Sequence, residues 1–260
     1  MKITILGARG SVPTSGRNMQ EFGGSTSCIY IETDEYAIFL DAGTGLINAP
    51  DVGNRKIVIL LTHPHIDHLI GLPFFPFNRE KGRRVDIYAK RRGSFGAAEQ
   101  IERLISPPLW PCILSDYPAD YQVHDLTLPI TFGDIEVTGM ESEHPGGSII
   151  YRITQNGASF VYATDYEHYG SNIDRLVDFV KDTDLLMYDG QYTQEESVRM
   201  RGFGHSTVEA GLDVMKKSNA KSILFVHHDP RHTDEMLTKM ENAVKSDNVS
   251  FAREGQVIIL

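Results

Sequence analysis

Apolar positions in the first third of the chain come in short runs rather than at helical spacing. Residues 2–6, 27–33, 36–40 and 57–61 are rich in Ile, Leu, Val and aromatic side chains and are bounded by polar residues or glycine. That is the pattern of buried strands. A helix is expected to open near Asp67 and run through Leu69-Ile70-Gly71-Leu72-Pro73, and a second to cover 94–105, ending before Pro107-Pro108. Strand patterns return at 123–128, 135–140, 148–154 and 158–163. Asn156-Gly157 joins the last two and is a strong two-residue hairpin signal, because such turns place both central residues at positive φ. Helices then alternate with strands: helix 172–181, strand 184–188, helices 193–199 and 206–217, strand 221–226, helix 233–245 and strand 256–260. Ser206 and Glu209 have capping-box spacing at the start of the 206–217 helix. Segment 106–122 follows neither period, is Pro-rich, and contains Trp110 and Tyr117. It reads as a long loop of the kind that forms lids or substrate walls.

No linker, low-complexity run or repeat interrupts this order. The expected architecture is one α/β (α+β) domain over 1–260, with two mixed sheets face to face and helices outside. A chain of 260 residues that is 41% hydrophobic can build such a core. Its net charge of -10 argues against broad contact with nucleic acid, which needs clustered cations. The densest basic stretch, Arg79 to Arg84 followed by Lys90-Arg91-Arg92, reads as a solvated loop and strand edge. Cys28 and Cys112 form neither a disulfide framework nor a CxxC site and are expected to be reduced. The chain opens directly on a strand, without a signal-peptide pattern, and has no apolar stretch of membrane length. A cytoplasmic protein is therefore expected. The apolar run Leu72-Pro73-Phe74-Phe75-Pro76-Phe77 suits core packing, a pocket wall or a homodimer surface.

Chemistry concentrates at Thr62-His63-Pro64-His65-Ile66-Asp67-His68, directly after the 57–61 strand. Histidines two apart at a strand end can point to one side. An acid and a third histidine follow at once. Imidazole and carboxylate are the ordinary ligands of zinc, manganese and iron. Further candidates sit just past other apolar strands: His144 after 135–140, Asp165 after 158–163 and His227 after 221–226. Together these seven groups are enough to hold two cations.

The motif His63-x-His65-x-Asp67-His68, followed in order by His144, Asp165 and His227, resembles the metallo-β-lactamase-fold hydrolases over essentially the whole chain. The resemblance implies an αββα sandwich with two divalent metal ions at one edge between the sheets. Zinc or manganese would suit the ligands, as would iron. It implies that His63, His65 and His144 hold one ion, that Asp67, His68 and His227 hold the other, and that Asp165 bridges them. His228 adjoins His227 and is the alternative ligand, or a substrate contact; His227 directly follows the strand.

Gly204-His205-Ser206-Thr207 resembles the His-Ser-Thr motif of the ribonuclease Z-like phosphodiesterases. The resemblance implies that His205 protonates a leaving oxygen and that Asp189, after the 184–188 strand, orients it. The family more often has glutamate at that place. The long arm that grips transfer RNA in true ribonuclease Z has no counterpart between Asp165 and Asp189. Gly7-Ala8-Arg9-Gly10-Ser11, Phe22 to Cys28 and Asp41-Ala42-Gly43-Thr44-Gly45 resemble small bacterial members of this branch. Gly7 to Ser11 is read as a tight turn near the metal edge, not as a nucleotide-binding loop. The expectation is a dinuclear metal-dependent phosphodiesterase that cleaves a small or cyclic phosphodiester with water activated by the metals. Asp67 would serve catalysis as well as metal binding, and Arg17 could reach a substrate phosphate. Acyl hydrolysis, as in thioesterase or lactonase members, is the alternative. A ribonuclease and a non-catalytic metal- or nucleotide-binding module are the lesser readings.

Overall fold

A computed structural model of the protein describes residues 1–168 and 173–260. Among the described residues, fourteen strands form two seven-stranded sheets. The first sheet contains β1 (Lys2–Gly7), β2 (Cys28–Glu32), β3 (Tyr36–Leu40), β4 (Lys56–Leu61), β5 (Arg84–Ala89) and β6 (Asp120–Asp125). The second contains β7 (Ile130–Phe132), β8 (Ile135–Ser142), β9 (Ser148–Gln155), β10 (Ala158–Ala163), β11 (Leu185–Asp189), β12 (Ile223–Val226) and β13 (Val249–Phe251). The last strand, β14 (Val257–Ile259), returns to the first sheet beside β1. The spatial orders are β14-β1-β2-β3-β4-β5-β6 and β13-β12-β11-β10-β9-β8-β7. In each sheet antiparallel pairing gives way to parallel pairing: at β3–β4 in the first and at β10–β11 in the second. The parallel strands all end toward one edge, where loops can converge on a ligand.

Alternation along the strands makes the layers. In the first sheet, Ile29, Ile31, Ile38, Leu40, Val58 and Leu60 face Val137, Tyr151, Ile153, Phe160 and Met187 of the second. Their neighbours Tyr30, Phe39, Ile57, Ile59, Val85 and Ile87 face outward, toward α1 (Ala97–Glu102) and the 3-10 turns. On the other side, α2 (Ile173–Val180), α4 (Val208–Ser218) and α5 (Asp234–Val244) cover the second sheet around Val161, Leu186, Ile223 and Phe225. Helix α3 (Gln194–Arg199) lies between β11 and α4 in the chain. The αββα sandwich of two mixed sheets is thus the observed fold.

Several boundaries differ from the sequence reading, each for a local reason. The helix expected from Asp67 is two 3-10 turns, Ile66–His68 and Leu72–Phe74. Pro73 supplies no N–H at that point and cannot extend a helix back through Gly71. The 94–105 helix is only Ala97–Glu102, because the backbone at Gly96 is extended and Asp125 accepts the Ala97 N–H at 2.8 Å. The 123–128 strand lies at Asp120–Asp125, in register with β5. Strands β5, β7 and β13 were not expected. β5 carries charge on its alternate positions, and β7 and β13 are three residues each. α4 is capped by Thr207, which accepts the Ala210 N–H, while Ser206 Oγ pairs with Tyr188 Oη at 2.9 Å. Residue 172, the expected start of the helix ending at 181, lies outside the described residues. The hairpin is as expected, with Asn156 and Gly157 at φ 52° and 86°.

The 106–122 loop does not line the cleft described below. Its Trp110 packs on Phe74 and donates to Tyr117 Oη at 3.1 Å on the outer face of the first sheet. Leu72, Phe75 and Phe77 are buried in that same layer, and Phe74 and Pro76 of the apolar run are exposed. Both cysteines are free. No helix among the described residues is long and apolar enough to cross a membrane.

Candidate metal centre

The loop after β4 delivers four groups to one spot. His63 leaves the strand buried, the chain is extended at His65, and the 3-10 turn Ile66–His68 swings Asp67 and His68 inward. The second sheet supplies the rest from the ends of alternate strands: His144 after β8, Asp165 after β10 and His227 after β12. Asp165 and His227 both adopt positive φ, 55° and 61°, which turns their side chains back over the strand ends.

Asp165 lies in the middle of the cluster. Its Oδ1 faces His63 Nε2 at 3.7 Å and His144 Nε2 at 3.6 Å. Its Oδ2 faces His68 Nε2 at 3.3 Å and His227 Nε2 at 3.4 Å. Asp67 Oδ2 is 3.2 Å from both of those nitrogens. His65 turns Nδ1 toward His144 Nε2 at 3.0 Å. The seven groups fall into overlapping sets whose ligand atoms lie within 4.8 Å of one another, among them His63-His65-His144, His63-His68-Asp165 and Asp67-His68-His227.

The outer nitrogens of four of the histidines are tied down. His68 Nδ1 donates to Asp41 at 2.8 Å, His144 Nδ1 to the Gly204 carbonyl at 2.9 Å and His227 Nδ1 to Gln191 Oε1 at 2.7 Å. His63 Nδ1 pairs with Thr62 Oγ1 at 3.0 Å, and that hydroxyl in turn donates to Asp41. Fixing the proton on Nδ1 leaves the Nε2 lone pair aimed at the centre, the arrangement metal-binding histidines use. The Nε2 atoms of His63 and His68 are buried without any hydrogen-bond partner. Orphaned polar atoms of this kind are costly unless something else engages them.

The electrostatics also call for positive charge. Burial would push the Asp165 carboxyl up, yet His227, His68 and His63 hold it well below the usual range. Burial would likewise depress His68, but Asp67, Asp165 and Asp41 raise it well above its ordinary value. For His227, burial lowers and Asp165 and Asp67 raise, to about 9. The buried carboxylates thus draw protons onto His68 and His227, while burial holds His63, His65 and His144 below the ordinary value. A divalent cation would meet the same demand, and the donor set fits one.

Backbone placement supports the cluster. Ser11 N donates to Asp67 Oδ2 at 2.8 Å from the turn that follows Gly10. A Cβ on Gly10 would collide with the His227 ring, and one on Gly204, at φ 88°, with the His144 ring. The expected tight turn at the metal edge is therefore present.

A cleft of ≈ 540 Å³ opens over the cluster, lined by Ser11, Asp67, Pro145, Phe203 and His205 among others. His205 Nδ1 donates to Asp189 Oδ2 at 2.9 Å. Asp189 is wholly buried and also accepts the N–H groups of Asp165 at 3.0 Å and Gln191 at 3.1 Å. The shorter aspartate reaches the histidine without help.

Two expected residues stand elsewhere. His228 is fully buried between Phe22 and Phe251, with Nε2 donating to the Ala252 carbonyl at 2.9 Å. Burial pushes it down to about 3. It faces the core, so it can neither replace His227 nor meet a substrate. Arg17 is exposed and does not line the cleft. Sequence reasoning assigned no role to Asp41, Thr62 or Gln191. Asp41 had a usable signal, since it follows the apolar strand β3 as Asp165 follows β10. Thr62 and Gln191 are neutral and had none.

A family model described as the beta-lactamase superfamily domain matches residues 36–228. The chain is 23% identical to the probable metallo-hydrolase YhfI of Bacillus subtilis, covering 99% of each sequence. The crystal structure of YhfI superposes with a TM-score of 0.74 at 20% identity over 99% of both chains. Ribonuclease Z of Haloarcula marismortui is 22% identical over 98% of this chain and 95% of its own. A diphosphatase from the PhnP family shares the fold at a TM-score of 0.68 and 16% identity, covering 100% and 97% of the two chains. With its two mixed sheets and its His/Asp cluster, the chain belongs to the β-lactamase superfamily, as a metal-binding hydrolase of the metallo-β-lactamase fold.

Proposed function

We propose that the protein is a dinuclear metal-dependent phosphodiesterase acting on a small or cyclic phosphodiester. The observation that carries this reading is the Asp189–His205 pair, which opens on the cleft directly beside the cluster. Hydrolysis at phosphorus expels an alkoxide or phenoxide, and a leaving group of that kind gains from a proton donor. Simple ester chemistry needs no such pair.

In this reading His63, His65 and His144 would hold one divalent cation, Asp67, His68 and His227 would hold a second, and Asp165, which lies between the two groups, would serve both. Zinc or manganese suits these ligands, and iron is compatible. Bound cations supply Lewis acidity, which lowers the pKa of water and draws charge from a phosphoryl oxygen. His205, its Nδ1 proton committed to Asp189, would present Nε2 to the leaving oxygen and, as the imidazolium, give the Nε2 proton there and become neutral. Asp67 holds its metal and, through Ser11 N, fixes the cleft wall against it. The net charge of -10 and a cleft of ≈ 540 Å³ favour a small substrate over a long nucleic acid.

The test is hydrolysis of bis(4-nitrophenyl) phosphate by zinc- or manganese-loaded protein, with thioesters and lactones alongside. Turnover of the phosphodiester that His205→Ala abolishes supports the reading. Turnover of thioesters or lactones alone, unaffected by that substitution, would move the protein to the acyl hydrolases.

A further inference from the structure

A second cavity, of ≈ 320 Å³, opens off the cleft at its His65 end; His65, Ile66 and Pro145 line both spaces. His205 lines the cleft but not this cavity. We propose that the cavity is a subsite for an aryl group, the substituent of the phosphodiester that is retained while the leaving group departs past His205. The retained-substituent assignment rests on the phosphodiesterase reading; the aryl preference does not.

The walls define the ligand chemistry. Ile66, Phe95 and Leu104 are apolar, and Ile66 and Phe95 remain 52% and 38% exposed, so folding alone does not account for them. The guanidinium of Arg103 lies 4.0 Å over the Phe95 ring, which sets a flat charged plate on a flat aromatic face. Arg92 adds a second guanidinium, held by Glu141 at 2.9 Å. Gln100 Nε2 is already engaged by the carbonyls of Lys90, Phe95 and Gly96. Among the described residues, no carboxylate lines the cavity. Guanidinium groups only donate. The cavity therefore suits a flat apolar group that stacks on the Phe95 and guanidinium faces, a contact that an alkyl chain cannot match.

Equilibrium binding tests the subsite without turnover. Zinc-loaded protein should bind phenyl phosphate on the order of tenfold more tightly than methyl phosphate, the scale of an aromatic contact. Phe95→Ala and Arg103→Gln, both in the cavity lining, should each shrink that ratio severalfold. Equal affinities in the unaltered protein, or a ratio that survives both substitutions, would overturn the subsite. Turnover of bis(4-nitrophenyl) phosphate and methyl 4-nitrophenyl phosphate completes the test, since the two share a leaving group and differ in what is retained. Both substitutions should cut kcat/KM for the diaryl ester more than for the methyl ester. Equal losses on both esters would sink the retained-group assignment while leaving the phosphodiesterase reading intact. A phenyl preference with no turnover of either ester would sink the phosphodiesterase reading while the aryl subsite stands.

Discussion

Two buried aspartates each hold one histidine in this molecule, and the pairs look alike up to the imidazole. Asp41 accepts His68 Nδ1 at 2.8 Å, and Asp189 accepts His205 Nδ1 at 2.9 Å. Both carboxylates are fully buried and also accept backbone N–H groups, Thr62 N at Asp41 and Asp165 N at Asp189. The difference lies beyond the ring. His68 is completely enclosed, and its Nε2 is 3.2 and 3.3 Å from Asp67 and Asp165. His205 keeps 9% of its side chain exposed and lines the cleft. In the proposed function this one device aims the far nitrogen of His68 at a metal position and that of His205 at the substrate. The pair itself does not decide the role; the surroundings of the far nitrogen do.

The sharpest break between the pairs should come from His205→Ala. Steady-state kinetics should show turnover falling by about 10²–10⁴-fold, while elemental analysis finds metal content unchanged. Asp41→Asn should do the reverse. Its metal affinity should drop by about 10–100-fold in a chelator competition, and excess metal should restore much of the rate. Asp189→Asn should lower turnover less than His205→Ala, again with metal retained, because the ring stays and only its orientation loosens. The smallest effect is expected two residues along the chain. Thr207→Ala removes the α4 cap and should cost about 1 kcal/mol in denaturant unfolding, with kcat near that of the parent.

The contrast also explains what could be read from the sequence. Asp67 and the histidines at 63, 65 and 68 sit within one strand end, so spacing alone exposed them. His144, Asp165 and His227 were legible because each lies one or two residues past the end of a strand, which fixes the edge its side chain reaches. Asp41 met the same criterion after β3 and went unassigned, since a lone acid past a strand usually caps a turn. Gln191 acts only through the fold. Its amide reaches His227 after β11 and β12 pair in parallel, a contact across 36 positions with no local trace. His227 and His228 were adjacent and alike in sequence. The positive φ of His227 separates them, turning one ring to the metal edge and leaving the other between Phe22 and Phe251. Among the elements, β5 hid behind its charges. Arg84 and Asp86 occupy alternate positions while Val85, Ile87 and Ala89 pack beneath, so the run read as a solvated edge.

The most direct test compares metal content and phosphodiester turnover in the parent, Asp165→Ala and His205→Ala, all measured on the same preparations. The account predicts two metal ions per chain in the parent and in His205→Ala, turnover in His205→Ala cut by about 10²–10⁴-fold, and loss of both metal and turnover in Asp165→Ala. A His205→Ala protein that has lost a metal ion would make His205 a ligand and contradict the division between the two pairs.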